Sequence, residues 1–156
     1  MKRIALAAVL LVMLVGPVRA GWDEGVVAYK QGDYATALKE WRPLAGRGDA
    51  DAQAKLGFMY HIGLGVAQDY AKAVKWYRNA AEQGNANAQT SLGYMYGKGQ
   101  GVTQDYVQAH LWSNLAAAQD NDAARKNRDA IAEKMTPADI SKAQAMAHEW
   151  MEKLQE

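Results

Sequence analysis

A 36-residue repeat is the feature that most constrains this 156-residue chain. Residues 49–84 align with residues 85–120 without a gap, and 18 of the 36 aligned positions are identical. Self-similarity at a period in this range is typical of stacked units, each of which buries its apolar face only against its neighbours. The chain is therefore predicted to fold as a row of packed units that repeat one supersecondary structure.

The spacing of apolar residues within each block predicts two helices. Ala52, Leu56, Met59 and Tyr60 recur at intervals that place them on one face of a helix. A second stripe of this kind runs from residue 70 to residue 81. Between the two stripes the blocks read GLGVAQD and GQGVTQD, and glycines suit a tight loop because they adopt positive φ at little cost. Each block is therefore predicted to be a helix, a loop and a second helix.

Polar residues at fixed positions predict where these helices begin. Asp49 and Asn85 directly precede the first stripe of each block, and Asp69 and Asp105 precede the second. Side chains of these types cap a helix by accepting hydrogen bonds from its free backbone N–H groups. Gly84 follows the second stripe of the first block and suits the left-handed residue that ends a helix.

Small and aromatic residues predict close packing between the units. Glycine inside a helix costs about 1 kcal/mol relative to alanine, so Gly57 and Gly93 indicate helices in close contact. Trp76 and Trp112 lie about 100° from the core stripe of their helices. Each is expected to meet an adjacent repeat, with contact to a partner as the alternative. The predicted repeat-packing residues are Leu56, Gly57, Tyr60, Tyr70, Trp76, Leu92, Gly93, Tyr96, Tyr106 and Trp112.

Two segments of the chain resemble Sel-1-like repeats, a family related to tetratricopeptide repeats. They read AQAKLGFMYHIGLGVAQDYAKAVKWYRNAAEQG and AQTSLGYMYGKGQGVTQDYVQAHLWSNLAAAQ. The resemblance combines an Ala-x-x-x-Leu-Gly-x-Met-Tyr opening, a Gly-x-Gly-Val loop, Asp-Tyr, and an Ala-Ala-x-Gln close at fixed spacing. It implies an all-α solenoid of αα-hairpins, with repeats at residues 49–84 and 85–120. It also implies a scaffold or adaptor of protein complexes, and many bacterial members are exported.

The segments on either side of the repeats predict terminal units. In residues 21–48, the sequence GDYATAL and Trp41 match the second half of a repeat with a shorter loop, so a tetratricopeptide-like helix pair is expected. In residues 121–156 the repeat pattern is lost, and Thr136-Pro137 is a strong helix start. These residues are predicted to be capping helices. The apolar face of the last helix is expected to comprise Ile140, Ala143, Ala147, Trp150, Met151 and Leu154.

Residues 1–20 are predicted to be a secretory signal peptide. Lys2 and Arg3 give a positive start, residues 4–15 are an unbroken apolar run, and the sequence VRA suits cleavage after Ala20. The apolar run is shorter than the roughly 20 residues of a membrane-spanning helix. We expect a periplasmic or secreted protein, not inserted in a membrane after cleavage. An uncleaved anchor or a buried first helix is the alternative.

Composition excludes several kinds of chemistry. The chain has no cysteine, and therefore no disulfide, thiolate metal site or cysteine nucleophile. It has 18 basic and 17 acidic residues, and removal of residues 1–20 takes away three basic ones, which leaves a net charge of −2. Nucleic-acid binding needs a concentrated basic face, and the sequence contains none.

The sequence contains no pattern of catalytic or metal-binding residues. His61, His110 and His148 lack the spacing of metal ligands. His110 takes the position of Val74 in the other repeat, so a hydrogen-bonded structural histidine is expected there. The sequence also lacks a Gly-x-Ser-x-Gly elbow and a phosphate-binding loop. We therefore predict no catalytic residues, no metal and no cofactor. One branch of the resembled family is linked with β-lactam binding or hydrolysis, but its members are rich in cysteine.

A binding surface is easier to predict. Phe58 and Tyr94 are expected to lie opposite the stripe of Leu56, on the concave surface of the first helices. Aromatic side chains with scattered polar neighbours suit peptide recognition. The predicted partner-binding residues are Lys55, Phe58, Ile62, Ser91, Tyr94 and Lys98. The alternative for Phe58 is packing between repeats.

Together these patterns predict a non-catalytic adaptor of the bacterial cell envelope that binds a peptide or a partner protein. Two alternatives stay open. One is an envelope enzyme or small-ligand binder that acts on cell-wall or β-lactam-like compounds. The other is a structural accessory subunit whose solenoid edges make the contacts.

Overall fold

The structure is a computed structural model that describes residues 21–154. Over this range it contains eight α-helices and no β-strand. They are α1 (Trp22–Lys30), α2 (Tyr34–Gly46), α3 (Ala50–Ile62), α4 (Tyr70–Glu82), α5 (Ala86–Lys98), α6 (Tyr106–Ala117), α7 (Asp122–Ala132) and α8 (Pro137–Lys153). The prediction of an all-α solenoid of αα-hairpins is confirmed. The predicted signal peptide, residues 1–20, lies outside the described range.

The predicted caps begin the four helices of the two repeats. The side chains of Asp49, Asp69 and Asn85 each accept a 2.9 Å hydrogen bond from the backbone N–H three residues further on. Asp105 accepts the equivalent bond at 3.0 Å. Gly84 follows α4 with a φ of 89°, the left-handed conformation expected of it. Local sequence therefore sets the ends of these helices.

The helices form consecutive hairpins. Helix α1 pairs with α2, α3 with α4, and α5 with α6, while α3 and α5 also pack against the second helix of the preceding hairpin. The sequence predicts that the repeat pattern ends at residue 120. Beyond that residue, α7 packs against α6 and α5 in the position of a further first helix. Asn121 caps it, 36 residues after Asn85, and Ala124 is fully buried like Ala88.

The core lies between the hairpins in two main clusters. One joins α1, α2 and α3 around Trp41 and Leu56, and the other joins α4, α5, α6 and α8 around Leu92. Leu56 and Leu92 are both fully buried, as their repeat positions predict. In the described residues, no helix is both long enough and apolar enough to cross a membrane.

Glycine allows the close contact that the sequence predicts within each hairpin. A Cβ atom at Gly57 would lie 2.6 Å from Cδ1 of Tyr77, on the facing helix. In the second repeat a Cβ at Gly93 would lie 2.5 Å from Oγ of Ser113. Real Cβ atoms do not approach other atoms this closely, so the packing of α3 on α4 and of α5 on α6 requires glycine at both positions.

Buried glutamines link adjacent hairpins, and the sequence patterns did not predict this role. Nε2 of Gln53 donates a 3.1 Å hydrogen bond to the carbonyl of Ala45 at the end of α2, while its Oε1 accepts a 2.8 Å bond from Gln83. Gln89 and Gln119 repeat the arrangement one unit later. These polar side chains are paired inside the solenoid, which removes the cost of burying them.

Helix α8 packs against α6 and does not form a hairpin with α7. Ala143 and Ala147 are fully buried, and the ring of Trp150 meets that of Trp112 edge-on at 6.1 Å. The predicted apolar face of α8 is wrong at one position, because Leu154 is 60% exposed. Leu154 follows the last residue of α8, where the helix has ended and its packing against α6 is complete.

Candidate partner-binding groove

Three depressions follow one another along the first helices of the hairpins and form what we call the groove. The first, of about 350 Å³, is lined mainly by α1, α3 and α5, and the second, of about 330 Å³, by α3, α5 and α7. The third, of about 90 Å³, lies between α5 and α7. Phe58 and Ser91 line both the first and the second, and Tyr94 lines both the second and the third. The groove is therefore continuous across the repeats.

All six predicted partner-binding residues line the groove. Lys55, Phe58 and Ser91 lie in the first depression, Ile62 in the second, and Tyr94 and Lys98 in the third. Phe58, Ile62 and Tyr94 are 39%, 50% and 40% exposed, which is unusual for large apolar side chains. Whether these residues bind a partner stays a prediction.

The predicted repeat-packing residues are buried or half-buried. Leu56, Gly57, Leu92, Gly93 and Trp112 are buried, whereas Tyr60, Tyr70, Trp76, Tyr96 and Tyr106 are half-buried. Trp76 packs against the cluster of α1, α2 and α3, and Trp112 belongs to the cluster of α4, α5, α6 and α8. Both tryptophans therefore contact neighbouring units, as the sequence favours.

Lysine side chains lie over aromatic rings along the groove. Nζ of Lys55 is 5.7 Å from the ring centroid of Tyr29. Nζ of Lys98 is 5.8 Å from that of Tyr94, and Lys134 on α7 lies 5.8 Å from Tyr106. A cation over the face of an aromatic ring is held by the ring's electron density. Asp51 lines the same depression as Lys55, so the excess of positive charge lies at the other end of the groove, where Lys98 and Lys134 line the third depression.

His61 lies in that centre, a position that the sequence patterns did not assign to it. Its ring meets those of Tyr70 and Tyr94 at 5.6 and 6.3 Å. Partial burial lowers the pKa of His61 from its usual value, which favours the uncharged imidazole. Burial likewise raises the pKa of the neighbouring Tyr77 hydroxyl to about 12, so it stays protonated. The centre of the groove is therefore uncharged.

The histidine that resembled a core residue is buried, but its expected hydrogen bond is missing. His110 is 2% exposed, and its Nδ1 has no hydrogen-bond partner among residues 21–154. Burial and the charge of Arg128 on α7 hold its pKa below the usual value. No cluster of three or more histidine, aspartate or glutamate side chains in the described range could hold a metal ion.

A helical hairpin repeated in register, with a groove along its first helices, defines the class of αα-repeat solenoids. The Sel1 repeat model matches residues 50–85 and 86–121, which coincide with the two hairpins α3–α4 and α5–α6. The chain belongs to the Sel1-repeat proteins, as its sequence motifs indicate.

Solved structures agree with this family. A protective antigen present in uropathogenic Escherichia coli strains, which displays an SLR fold, is 33% identical with a TM-score of 0.81. The match covers 85% of this chain and 29% of the antigen. A Sel1 repeat protein from Oxalobacter formigenes is 29% identical with a TM-score of 0.68, over 83% of this chain and 55% of that protein. This chain thus spans only part of the length of each. No curated protein matches it.

Family membership defines the function at a coarse level. Sel1 repeats generally mediate protein–protein interactions, and proteins of this family are typically non-catalytic scaffolds. The chain therefore contains a helical-repeat module of the protein-interaction type.

Proposed function

We propose that this protein is a non-catalytic adaptor of the bacterial cell envelope, and that its groove binds an extended segment of a partner protein. The observation that carries the proposal is the exposure of Phe58, Ile62 and Tyr94 side by side in the groove. Large apolar side chains grouped at the surface mark interaction sites, because water contact with them is unfavourable.

The charges of the groove define the chemistry of the segment. Lys98 and Lys134 lie on one side of the apolar centre, whereas on the other side Lys55 shares its depression with Asp51. A segment with an apolar side chain in the centre and carboxylates on the side of Lys98 and Lys134 complements this arrangement. Such charge complementarity contributes mainly to specificity and to the rate of association.

Export is part of the proposal. The signal-peptide pattern of residues 1–20 suits a protein that works in the periplasm or outside the cell. Fractionation of cells that express the full chain tests this step. We expect a shortened protein that begins at Gly21 in the periplasmic or extracellular fraction, and full-length protein in the cytoplasm would contradict it.

Capture of envelope proteins tests the groove. We expect the double variant Phe58→Ala/Tyr94→Ala to lose partners that the unchanged protein captures from a periplasmic extract. Val27→Ala is the matched control, because Val27 is 53% exposed on α1 but does not line the groove. Equal capture by both variants at equal melting temperature would overturn the proposal. Hydrolysis of peptidoglycan fragments or β-lactams by the purified protein would favour an enzyme.

A further inference from the structure

The second repeat contains an occupied helix-binding site on the outer side of its second helix. Helix α8 packs there against α6. Ala147 is fully buried in one cluster with Leu111, Trp112 and Leu115, and Trp150 packs edge-on against Trp112. The end of the chain thus shows how this side of a repeat receives a helix with a small residue and an aromatic residue one turn apart.

The first repeat contains the same site without a helix. It is a depression of about 350 Å³ that we call the α4 cleft, and it is lined by Tyr60, Lys72, Lys75, Trp76 and Asn79. In the second repeat, the equivalent residues are Tyr96, Gln108, Leu111, Trp112 and Leu115. The aromatic residues are the same in both repeats. Lys75 and Asn79 replace the two buried leucines and are exposed, and no helix of the described residues packs over them.

The changed residues determine what the α4 cleft can accept. A docking helix with alanine at the position of Ala147, as in α8, would bury the Lys75 ammonium group without an anion. Such burial is unfavourable. A carboxylate at the Ala147 position would instead pair with Lys75. Lys72 adds to the positive charge but is already 3.1 Å from Asp69 and lies over the ring of Tyr60. Lys75 is therefore the main determinant of charge.

We propose that the α4 cleft is a second partner-binding site, which takes an amphipathic helix of another protein carrying an aromatic residue and, one turn before it, a carboxylate. The aromatic side chain packs against the exposed part of Trp76 as Trp150 packs against Trp112. The site lies on a second helix, whereas the groove lies along the first helices. It does not depend on the proposed function of the groove, and the two sites together would bridge two partners.

The probes are two synthetic peptides that span residues 137–154, one with the sequence of α8 and one with Ala147→Glu. A lactam between Glu149 and Lys153, which are exposed and four residues apart, keeps both helical, since isolated helices of this length are marginal. Each is titrated into the ¹⁵N-labelled protein, and the indole N–H signals of Trp76 and Trp112 are followed by NMR. Affinity is measured by calorimetry.

We expect the Ala147→Glu peptide to shift the Trp76 signal and to bind about fivefold more tightly than the α8 peptide. Lys75→Glu in the protein is expected to remove this preference, and Lys75→Leu/Asn79→Leu to reverse it. Both protein variants change exposed residues, and their melting curves check that they fold.

Four results would overturn the proposal. In the NMR titration, these are a Trp76 signal that does not move, a shift of the Trp112 signal only, and shifts confined to residues of the groove. In calorimetry, it is an affinity for the Ala147→Glu peptide that Lys75→Glu leaves unchanged. A Trp112 shift would mean that the peptide displaces α8. Concentration-dependent dimers that use the α4 cleft in the absence of peptide would identify a second copy of this chain as the occupant instead.

Discussion

The side-chain amide of Gln119 donates a 2.9 Å hydrogen bond to Oε1 of Gln89, which is fully buried at the boundary between two hairpins. Gln89 in turn donates a 3.1 Å bond to the carbonyl of Ala81, at the end of the preceding second helix. Three consecutive helices are therefore joined through one buried side chain. The first repeat has the same connection through Gln53.

The substitution Gln89→Leu tests the importance of this connection. It removes two hydrogen bonds of the buried Gln89 side chain, one to the Ala81 carbonyl and one from the Gln119 amide, although each of these groups keeps a bond to Gly84. We therefore expect a loss of about 1–3 kcal/mol in the free energy of unfolding. Gln68→Leu is the control, because Gln68 also donates to a backbone carbonyl, that of His61, but is exposed and can bond to water. Urea unfolding measures both. Equal losses would show that burial of the glutamine is unimportant.

A pair of glycine substitutions tests the close contact of α3 with α4. Gly57→Ala is expected to destabilise the protein by about 1–3 kcal/mol, because the new methyl group would overlap the ring of Tyr77. Gly46 also lies in a helix, but a Cβ atom added there would have no neighbour within 4 Å. Gly46→Ala is expected to stabilise the protein by up to about 1 kcal/mol. Thermal unfolding decides, and a stabilising Gly57→Ala would contradict the packing described.

The stability of the protein is expected to fall with acidification below pH 6.5. Burial lowers the pKa of His110 in the folded state, so the unfolded chain takes up a proton first as the pH falls. The contribution of neutral His110 is complete above pH 6.5 and decreases below it. We expect His110→Val, which restores the residue type of Val74, to reduce the slope of unfolding free energy against pH between 7.5 and 5.5.

His61 has a lowered pKa as well, so part of the slope should remain in His110→Val. The double variant His61→Asn/His110→Val is expected to show the smallest slope. A slope that neither substitution changes would mean that other groups cause the dependence.

Removal of the Trp150 ring tests how α8 is held. Trp150 is half-buried against Trp112, and we expect Trp150→Ala to cost about 2–3 kcal/mol and to expose Leu111 and Leu115. Exposure of these leucines should cause association at high concentration, measured by light scattering. Leu154→Ala is the control, because Leu154 is 60% exposed and its removal should change neither property. A stable, monomeric Trp150→Ala protein would contradict this role of α8.

Much of the fold follows from local sequence, because the repeat encodes it twice. Each local feature determines the structure around it. Examples are the caps Asp69 and Asp105, the buried stripes of Leu56 and Leu92, and the glycines inside α3 and α5. Equivalent positions in the two blocks must meet the same packing, so identity between them indicates structure. The groove residues could also be predicted. Once the buried stripe of a helix is defined, residues on its opposite face, such as Phe58 and Tyr94, are expected at the surface.

The docking of α8 was not predictable from its own sequence. Its pattern defines an apolar face but does not indicate which helix that face meets. The sequence feature that indicates the docking site is in α6, where Leu111 and Leu115 replace Lys75 and Asn79 of the first repeat. Two additional apolar residues outside the core stripe of a helix indicate that another element packs over them. Similarly, identical glutamines at residues 53 and 89 indicated a shared role, but their partners come from other helices.

Site-specific photo-crosslinking in cells is the most direct test of the central claim that the groove receives a partner. A photoreactive amino acid replaces Ile62, which is 50% exposed in the groove, or Lys39, which is exposed on α2. We predict a discrete crosslinked product from position 62 and none from position 39. Mass spectrometry should locate the link in a segment with an apolar residue that has carboxylates on one side. No product from position 62, or the same product from both positions, would contradict the account.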